Sequence, residues 1–237
     1  MVFLHYPFCI KIYFFYNRTI NSFKEGANYF MTTFYCVRHG KTEFNQHKIF
    51  QGGLVDSPLL PEGIENAKKV GLYLEDISFQ HAFSSPQKRA QDTALILLSQ
   101  HPSAIELQTI NDLREMEFGS WDGLPEKDFY HLKEFQHLVE SPHLYDPNSF
   151  DGESFQSVID RSLNVFNHLT KQYPNDTILI VSHGLTLQTI LKHLDGSPIS
   201  DIRKGRLLDN TSITTVESNP ETLSYKILNW NDTSYLD

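Results

Sequence analysis

The chain has 237 residues and a formal net charge of −9, and 40% of it is hydrophobic. That length can bury a full core, so one α/β domain with an insertion is the simplest organisation. The acidic balance argues against nucleic acid and anionic membrane as partners, and it obliges any anionic ligand to enter a locally positive pocket. Two cysteines supply neither a disulfide framework nor a metal cluster, and Cys36 falls in an apolar run where a small buried side chain fits.

Residues 1–30 differ from the remainder, because ten of them are Phe or Tyr. Lys11 and Pro7 interrupt the segment as a membrane span, which needs about 20 apolar residues. A basic start and a small-residue cleavage site, the marks of a signal peptide, are missing. The segment is expected either to come from an upstream start, outside the native domain, or to be a loosely attached extension of a functional domain that begins at Met31, and the location expected for that domain is the cytoplasm.

Phe34-Tyr35-Cys36-Val37 is a continuous apolar run, the pattern of a strand buried on both faces, and it breaks into Arg38-His39-Gly40. A polar loop with Gly52-Gly53 and Asp56-Ser57-Pro58 follows. Pro61 then opens a helix carrying Ile64, Ala67, Val70 and Leu74 at helical spacing. A short strand over Phe79–Phe83 ends in Ser84-Ser85-Pro86, and a second helix runs from Pro86 to Leu98 with Arg89 in its first turn. Ile105–Ile110 reads as another strand. Alternating β and α patterns predict a mostly parallel sheet with helices on both faces, a three-layer α/β/α sandwich.

The alternation stops between about 112 and 152. Phe129, Leu132, Phe135 and Leu138, bracketed by Pro125 and Pro142, predict an isolated helix in an inserted cap. Ser154 caps a long helix with Phe155, Val158, Ile159, Val165, Phe166 and Leu169 on its apolar face. A second apolar run, Ile178-Leu179-Ile180-Val181, breaks into Ser182-His183-Gly184 and leads to a helix over about 185–194. Two closing strands are expected near Ser212–Glu217 and Ser224–Asn229.

In open α/β sheets the ligand crevice lies beyond the carboxyl ends of the strands. His39 and His183 follow two such strands, and Arg38 and Arg89 belong to the same edge. Arginine offers a rigid fork of donors to phosphate oxygens, and a helix start beside Arg89 adds backbone N–H groups. The pocket so formed suits a dianion, phosphate above all.

The residues Arg38-His39-Gly40-Lys41-Thr42-Glu43-Phe44-Asn45, Gln51-Gly52, Asp56-Ser57-Pro58-Leu59, and Ser84-Ser85-Pro86 with Arg89-Ala90 and Thr93-Ala94 form an ordered set. It continues through Leu113-Arg114-Glu115, Phe118-Gly119-Ser120-Trp121-Asp122-Gly123, Gly152-Glu153-Ser154, Ser182-His183-Gly184 and Asn210-Thr211-Ser212. The set resembles the histidine phosphatase superfamily, in the branch that contains cofactor-dependent phosphoglycerate mutase and related small-molecule phosphatases. Asp92, where the family usually has glutamine, and Pro61, where an acidic residue usually opens the helix, depart from it.

The resemblance implies that His39 is the nucleophile, passing through a phosphohistidine. It implies that Arg38, Arg89 and His183 hold the equatorial oxygens, with Asn45 and Gln51 as further substrate donors. Glu115 becomes the acid and then the base, although Glu117 stands two residues on and an extended segment would aim both the same way. No metal and no cofactor are expected. Met116 follows Glu115 where mutases of the family carry arginine, and no arginine lies between Arg114 and Arg161. Aromatic residues Phe129, Tyr130, Phe135, Tyr145 and Phe150 fill that stretch instead. The expected function is therefore metal-independent hydrolysis of a small phosphorylated metabolite, with mutase as the alternative. A zinc hydrolase built on His39, His183 and Glu115 and a non-catalytic phospho-ligand binder are the remote ones.

Overall fold

A computed structural model of the protein describes residues 30–236, so the expectations about residues 1–29 lie outside the described residues. Six strands form one sheet: β1 (Thr32–Arg38), β2 (His81–Ser84), β3 (Leu107–Thr109), β4 (Thr177–Ser182), β5 (Ile213–Ser218) and β6 (Tyr225–Asp232). Their spatial order is β3-β2-β4-β1-β5-β6. Neighbours from β3 through β1 are parallel, and β5 runs antiparallel to both β1 and β6. The mostly parallel sheet is as expected, with the antiparallel pairings confined to the late strands.

Side-chain alternation along β1 and β4 divides the core in two. Phe34, Cys36, Ile178 and Ile180 face one side and pack on Val165, Phe166, Leu169, Leu187 and Ile190. These come from α5 (Phe155–Gln172) and α6 (Gly184–Leu194). Val37, Leu179 and Val181 face the other side, against α2 (Pro61–Tyr73) and α3 (Lys88–Leu98). Each side chain so buried contributes about 1.5–3 kcal/mol, which is why these strands read as continuous apolar runs. The layers are α/β/α.

Between β3 and α5 lie short 3₁₀ turns and one helix, α4 (Lys133–Glu140). The expected helix through Phe129 and Leu132 is shorter than its apolar spacing suggested. Glu126–Asp128 form a 3₁₀ turn, and Leu132 is the residue before the helix. A three-residue repeat fits that turn as well as it fits an α-helix. The segment builds its own cluster of Met116, Phe118, Trp121, Tyr145 and Phe150, joined by Phe50 from the 41–58 loop and fastened to the main domain by Phe155, Val158 and Leu185. Trp121 stacks on Phe150 with centroids 4.0 Å apart. Gly119, at φ +54°, makes this closure possible: a Cβ there would collide with the Phe150 carbonyl oxygen.

The loop expected over 41–58 contains a short helix, α1 (Glu43–His47), closed by reciprocal hydrogen bonds between Thr42 and Asn45. α3 begins at Lys88, two residues after Pro86, and keeps Arg89 in its first turn. Among the described residues, no helix is long and apolar enough to cross a membrane.

Candidate active site

Arg38 pairs with Ser182 in the β1–β4 register, and the His39 amide donates to the Ser182 carbonyl at 2.9 Å. The ladder therefore delivers the two histidines side by side, with ring centroids 5.2 Å apart. Both are buried. The Nδ1 of His39 lies 2.8 Å from the Gly40 carbonyl, which can only accept. Nδ1 thus carries the proton and Nε2 keeps its lone pair. Burial, reinforced by the charges of Arg89 and Arg38, holds His39 well below its ordinary value, so the ring is neutral at pH 7.

His183 is depressed in the same way, by burial first and then by Arg89. Its Nε2 lies 2.6 Å from Ser85 Oγ, and its Nδ1 is buried without a partner. Ser85 Oγ donates to Gln87 Oε1 at 3.2 Å, so His183 Nε2–H is placed to donate to Ser85 Oγ, with Nδ1 left as a lone pair.

Arg38 donates through Nη1 to the Leu208 carbonyl at 2.6 Å and leaves Nε buried and unpartnered. Its guanidinium lies over Gly184, where a Cβ would come within 2.9 Å of Nε. Arg89 is 1% exposed and engaged more fully than the sequence suggested. Its Nη1 meets the Val55 carbonyl and Asp56, and its Nη2 meets the carbonyls of Gln51 and Gly52. Only its Nε is buried and free. Arg89 therefore fastens the 51–56 loop while setting the local field. Gln51 Oε1 accepts from Thr42 and Ser57, and its Nε2 is a further buried donor without a partner. Asn45 uses Oδ1 for Thr42 and Asn210, which leaves its Nδ2 to donate.

Glu115 sits at the amino end of α6. Its Oε1 accepts from the Met116 and Thr186 amides and from Thr186 Oγ1, and its Oε2 accepts from the Leu185 amide. Glu117 instead faces Arg114, 3.0 Å from its Nε. The backbone around Glu115 is held by Arg161, which donates to the carbonyls of Asp112 and Arg114 while making a two-point contact with Glu153.

Some of these groups border a cavity of about 280 Å³. Arg38, His39, Asn45, Gln51 and Glu115 line one part of it, and Phe50, Phe118, Phe135, Leu138 and Leu207 supply apolar wall. Arg89 and His183 do not border it and are sealed beside His39. Arg203 and Glu126 line the cavity as well, and sequence reading missed both. No motif marks them. Among the described residues, no cluster of three or more His, Cys, Asp or Glu could hold a metal ion.

The Bacillus subtilis protein described as uncharacterized phosphatase PhoE is 29% identical over 207 residues, 87% of this chain and 97% of that protein. A putative phosphoserine phosphatase 2 of Hydrogenobacter thermophilus is 31% identical over 199 residues, 82% of this chain and 95% of its own length. Among solved structures, YhfR of Bacillus stearothermophilus superposes with a TM-score of 0.81 at 29% identity, covering 87% of this chain and 100% of that one. The sequence model of the histidine phosphatase superfamily (branch 1) matches residues 34–233, and the chain belongs to that family.

Proposed function

We propose that the protein hydrolyses small phosphomonoesters by a metal-independent route through His39. The observation that carries this reading is a neutral His39 with a free Nε2 lone pair, set among buried nitrogens that lack acceptors. Arg38 Nε and Gln51 Nε2, both of residues on the cavity wall, are in that state, and Arg89 Nε is a further one sealed beside His39. An unsatisfied buried polar group costs about 1–3 kcal/mol, so a site that leaves several open is shaped for oxygens that arrive with a ligand.

In the first step Nε2 attacks phosphorus in line, the N–P bond forms and the ester P–O bond breaks. Glu115 gives its proton to the departing alkoxide. In the second step Glu115 takes a proton from water as that water attacks the phosphohistidine. The P–N bond breaks, and inorganic phosphate leaves with the imidazole restored. The positive groups act on charge that spreads over the equatorial oxygens, where fixed donors need no reorganisation.

Hydrolysis is favoured over phosphoryl return because Met116, not a cation, follows Glu115 and lies buried in the cap cluster. The apolar wall suits a substrate with an apolar part. The phosphatase names of the relatives support the same reaction class. The test is hydrolysis of p-nitrophenyl phosphate in excess EDTA by the wild-type protein and His39→Ala. Turnover that survives the chelator and disappears in the variant supports the proposal. Loss in EDTA, undiminished turnover in His39→Ala, or a 3-phosphoglycerate mutase rate at least equal to hydrolysis would overturn it.

A further inference from the structure

One buried side chain touches three parts of the site without bordering the cavity. Gln87 lies between Pro86 and Lys88, outside the residues that carry the family resemblance. It occupies the N-cap position of α3, where a side chain ordinarily turns back to the first free amides of the helix. This one makes no such cap, and α3 takes only its backbone carbonyl, which accepts from the Ala90 and Gln91 amides. The side-chain amide is sent instead to Glu115, to Ser85 and to the 51–56 loop.

Those contacts leave the amide a single orientation. The Glu115 backbone amide can only donate, and Gln87 Oε1 lies 2.8 Å from it. The Gly52 carbonyl can only accept, and Gln87 Nε2 lies 2.6 Å from it. A flipped amide would set donor against donor at one end and acceptor against acceptor at the other. Oε1 is thereby fixed as an acceptor, and it takes the Ser85 hydroxyl as well, at 3.2 Å. With its own proton committed, Ser85 Oγ receives from the Gln87 amide at 3.3 Å and from His183 Nε2 at 2.6 Å. The direction of every bond from Gly52 to His183 therefore follows from two backbone groups that cannot reverse. Gly52, Ser85, Glu115 and His183 are all buried, so water does not compete for these bonds.

The structure assigns Gln87 as a positioning residue of the reaction: its one amide places the backbone that carries the Glu115 acid and, through Ser85, holds the proton of His183 on Nε2. This rests on the phosphomonoesterase reading. The two effects are separable, because Ser85 lies on the histidine arm alone and Gln87 serves both.

Gln87→Met keeps an unbranched side chain of similar length and removes both polar ends, whereas Ser85→Ala cuts the histidine arm only. For these variants and wild type, kcat/KM is measured on β-glycerophosphate, whose alkoxide needs a proton to leave, and on p-nitrophenyl phosphate, whose phenolate does not. Gln87→Met should lose about a hundredfold on the alkyl ester, as a slightly misplaced catalytic group does, and about tenfold or less on the aryl ester. Ser85→Ala should lower both by a similar factor. The second readout is the ¹⁵N spectrum of His183 at neutral pH, assigned by its absence from His183→Asn. Wild type should show a protonated Nε2 and a bare Nδ1. The two signals should move toward each other in both variants, since Ser85→Ala removes the acceptor of Nε2–H and Gln87→Met frees the Ser85 proton to turn to Nε2. Equal losses of Gln87→Met on the two esters, a ratio shifted as far by Ser85→Ala as by Gln87→Met, or a wild-type proton on Nδ1 would overturn the assignment. Melting temperature is the folding control. If Gln87→Met does not fold, or if wild type hydrolyses neither ester and the phosphatase reading fails, the spectra of wild type and Ser85→Ala decide: an Nε2 proton that loosens in the variant upholds the relay, and unmoved signals overturn it.

Discussion

Replacing Glu115 by glutamine, against the same change at Glu117, tests the proposed chemistry most sharply. The Glu115 carboxylate accepts four hydrogen bonds, three at Oε1 and one at Oε2. An amide keeps a single oxygen acceptor, so the substituted side chain would hold the three contacts now made by Oε1 and turn its NH₂ toward the Leu185 amide. The lost charge-assisted bond costs about 1.5–3 kcal/mol, a destabilisation that a typical domain survives. Glu117 is a third exposed and, among the described residues, its side chain pairs only with Arg114, so its replacement should cost under about 1 kcal/mol. General acid–base catalysis accounts for about 10²–10⁴ in rate.

The assay compares two esters by kcat/KM, which reports steps through formation of the phosphohistidine. For an alkyl ester such as β-glycerophosphate, the leaving alkoxide needs its proton and Glu115→Gln should lose the full factor. For p-nitrophenyl phosphate the phenolate departs unaided, and the loss should shrink to about tenfold or less. Glu117→Gln should match wild type on both. Equal losses of Glu115→Gln on the two esters, or a Glu117→Gln variant that is the one to fail, would refute the assignment.

Other perturbations probe the surroundings. The folded values of His39 and His183 lie well below 6.5, so below that pH the unfolded chain binds protons that the native state refuses. Stability conferred by the neutral rings is complete above pH 6.5 and is lost as pH falls toward the folded values, at up to about 1.4 kcal/mol per pH unit for each ring. Urea midpoints between pH 7.5 and 5 should show this, and His183→Asn should reduce the slope; a slope unaltered in the variant would contradict it. Gly184→Ala would push a methyl to 2.9 Å from Arg38 Nε. We expect kcat/KM to fall about tenfold to a hundredfold while the melting temperature holds, since a small misplacement of a positioning group is costly and alanine favours a helix; unchanged kinetics would show that Arg38 is not held by this contact. Burial pushes the Cys36 thiol far up, so in a Cys9→Ser background a thiol reagent such as DTNB should label Cys36 only after denaturation. Labelling of the native protein would disprove the burial.

Much of this architecture was legible because a buried strand must be apolar on both faces. The runs at 34–37 and 178–181 could hardly be anything else, and the residues that follow them had to share an edge. The α1 helix was hidden because five residues give no period; its sign was the Thr42–Asn45 capping pair. In the cap, Phe129 and Leu132 recur at a spacing that suits a 3₁₀ turn as well as a helix. The choice between Glu115 and Glu117 could not be read from spacing, because it depends on where the amino end of α6 lies. Arg89 was recognised by its motif, but its service to the 51–56 loop follows from contacts that sequence does not show. Arg203 was invisible for the same reason: Gln188 fixes its loop across a turn, donating to the Ile202 carbonyl and accepting from the Leu208 amide, and no local pattern announces that.

The register that places His39 beside His183 also makes the two halves of the molecule interdependent. Each histidine is carried by a different stretch of chain, and they meet only when β1 lies in register along β4. The turn at Pro102–Ala104, exposed between α3 and β3, falls between these stretches. A chain cut there would yield one fragment with the nucleophile and another with its partner, each inert by itself. Recovered turnover on mixing would then count correctly zipped β1–β4 pairs, which makes this protein a natural substrate for a split reporter of association.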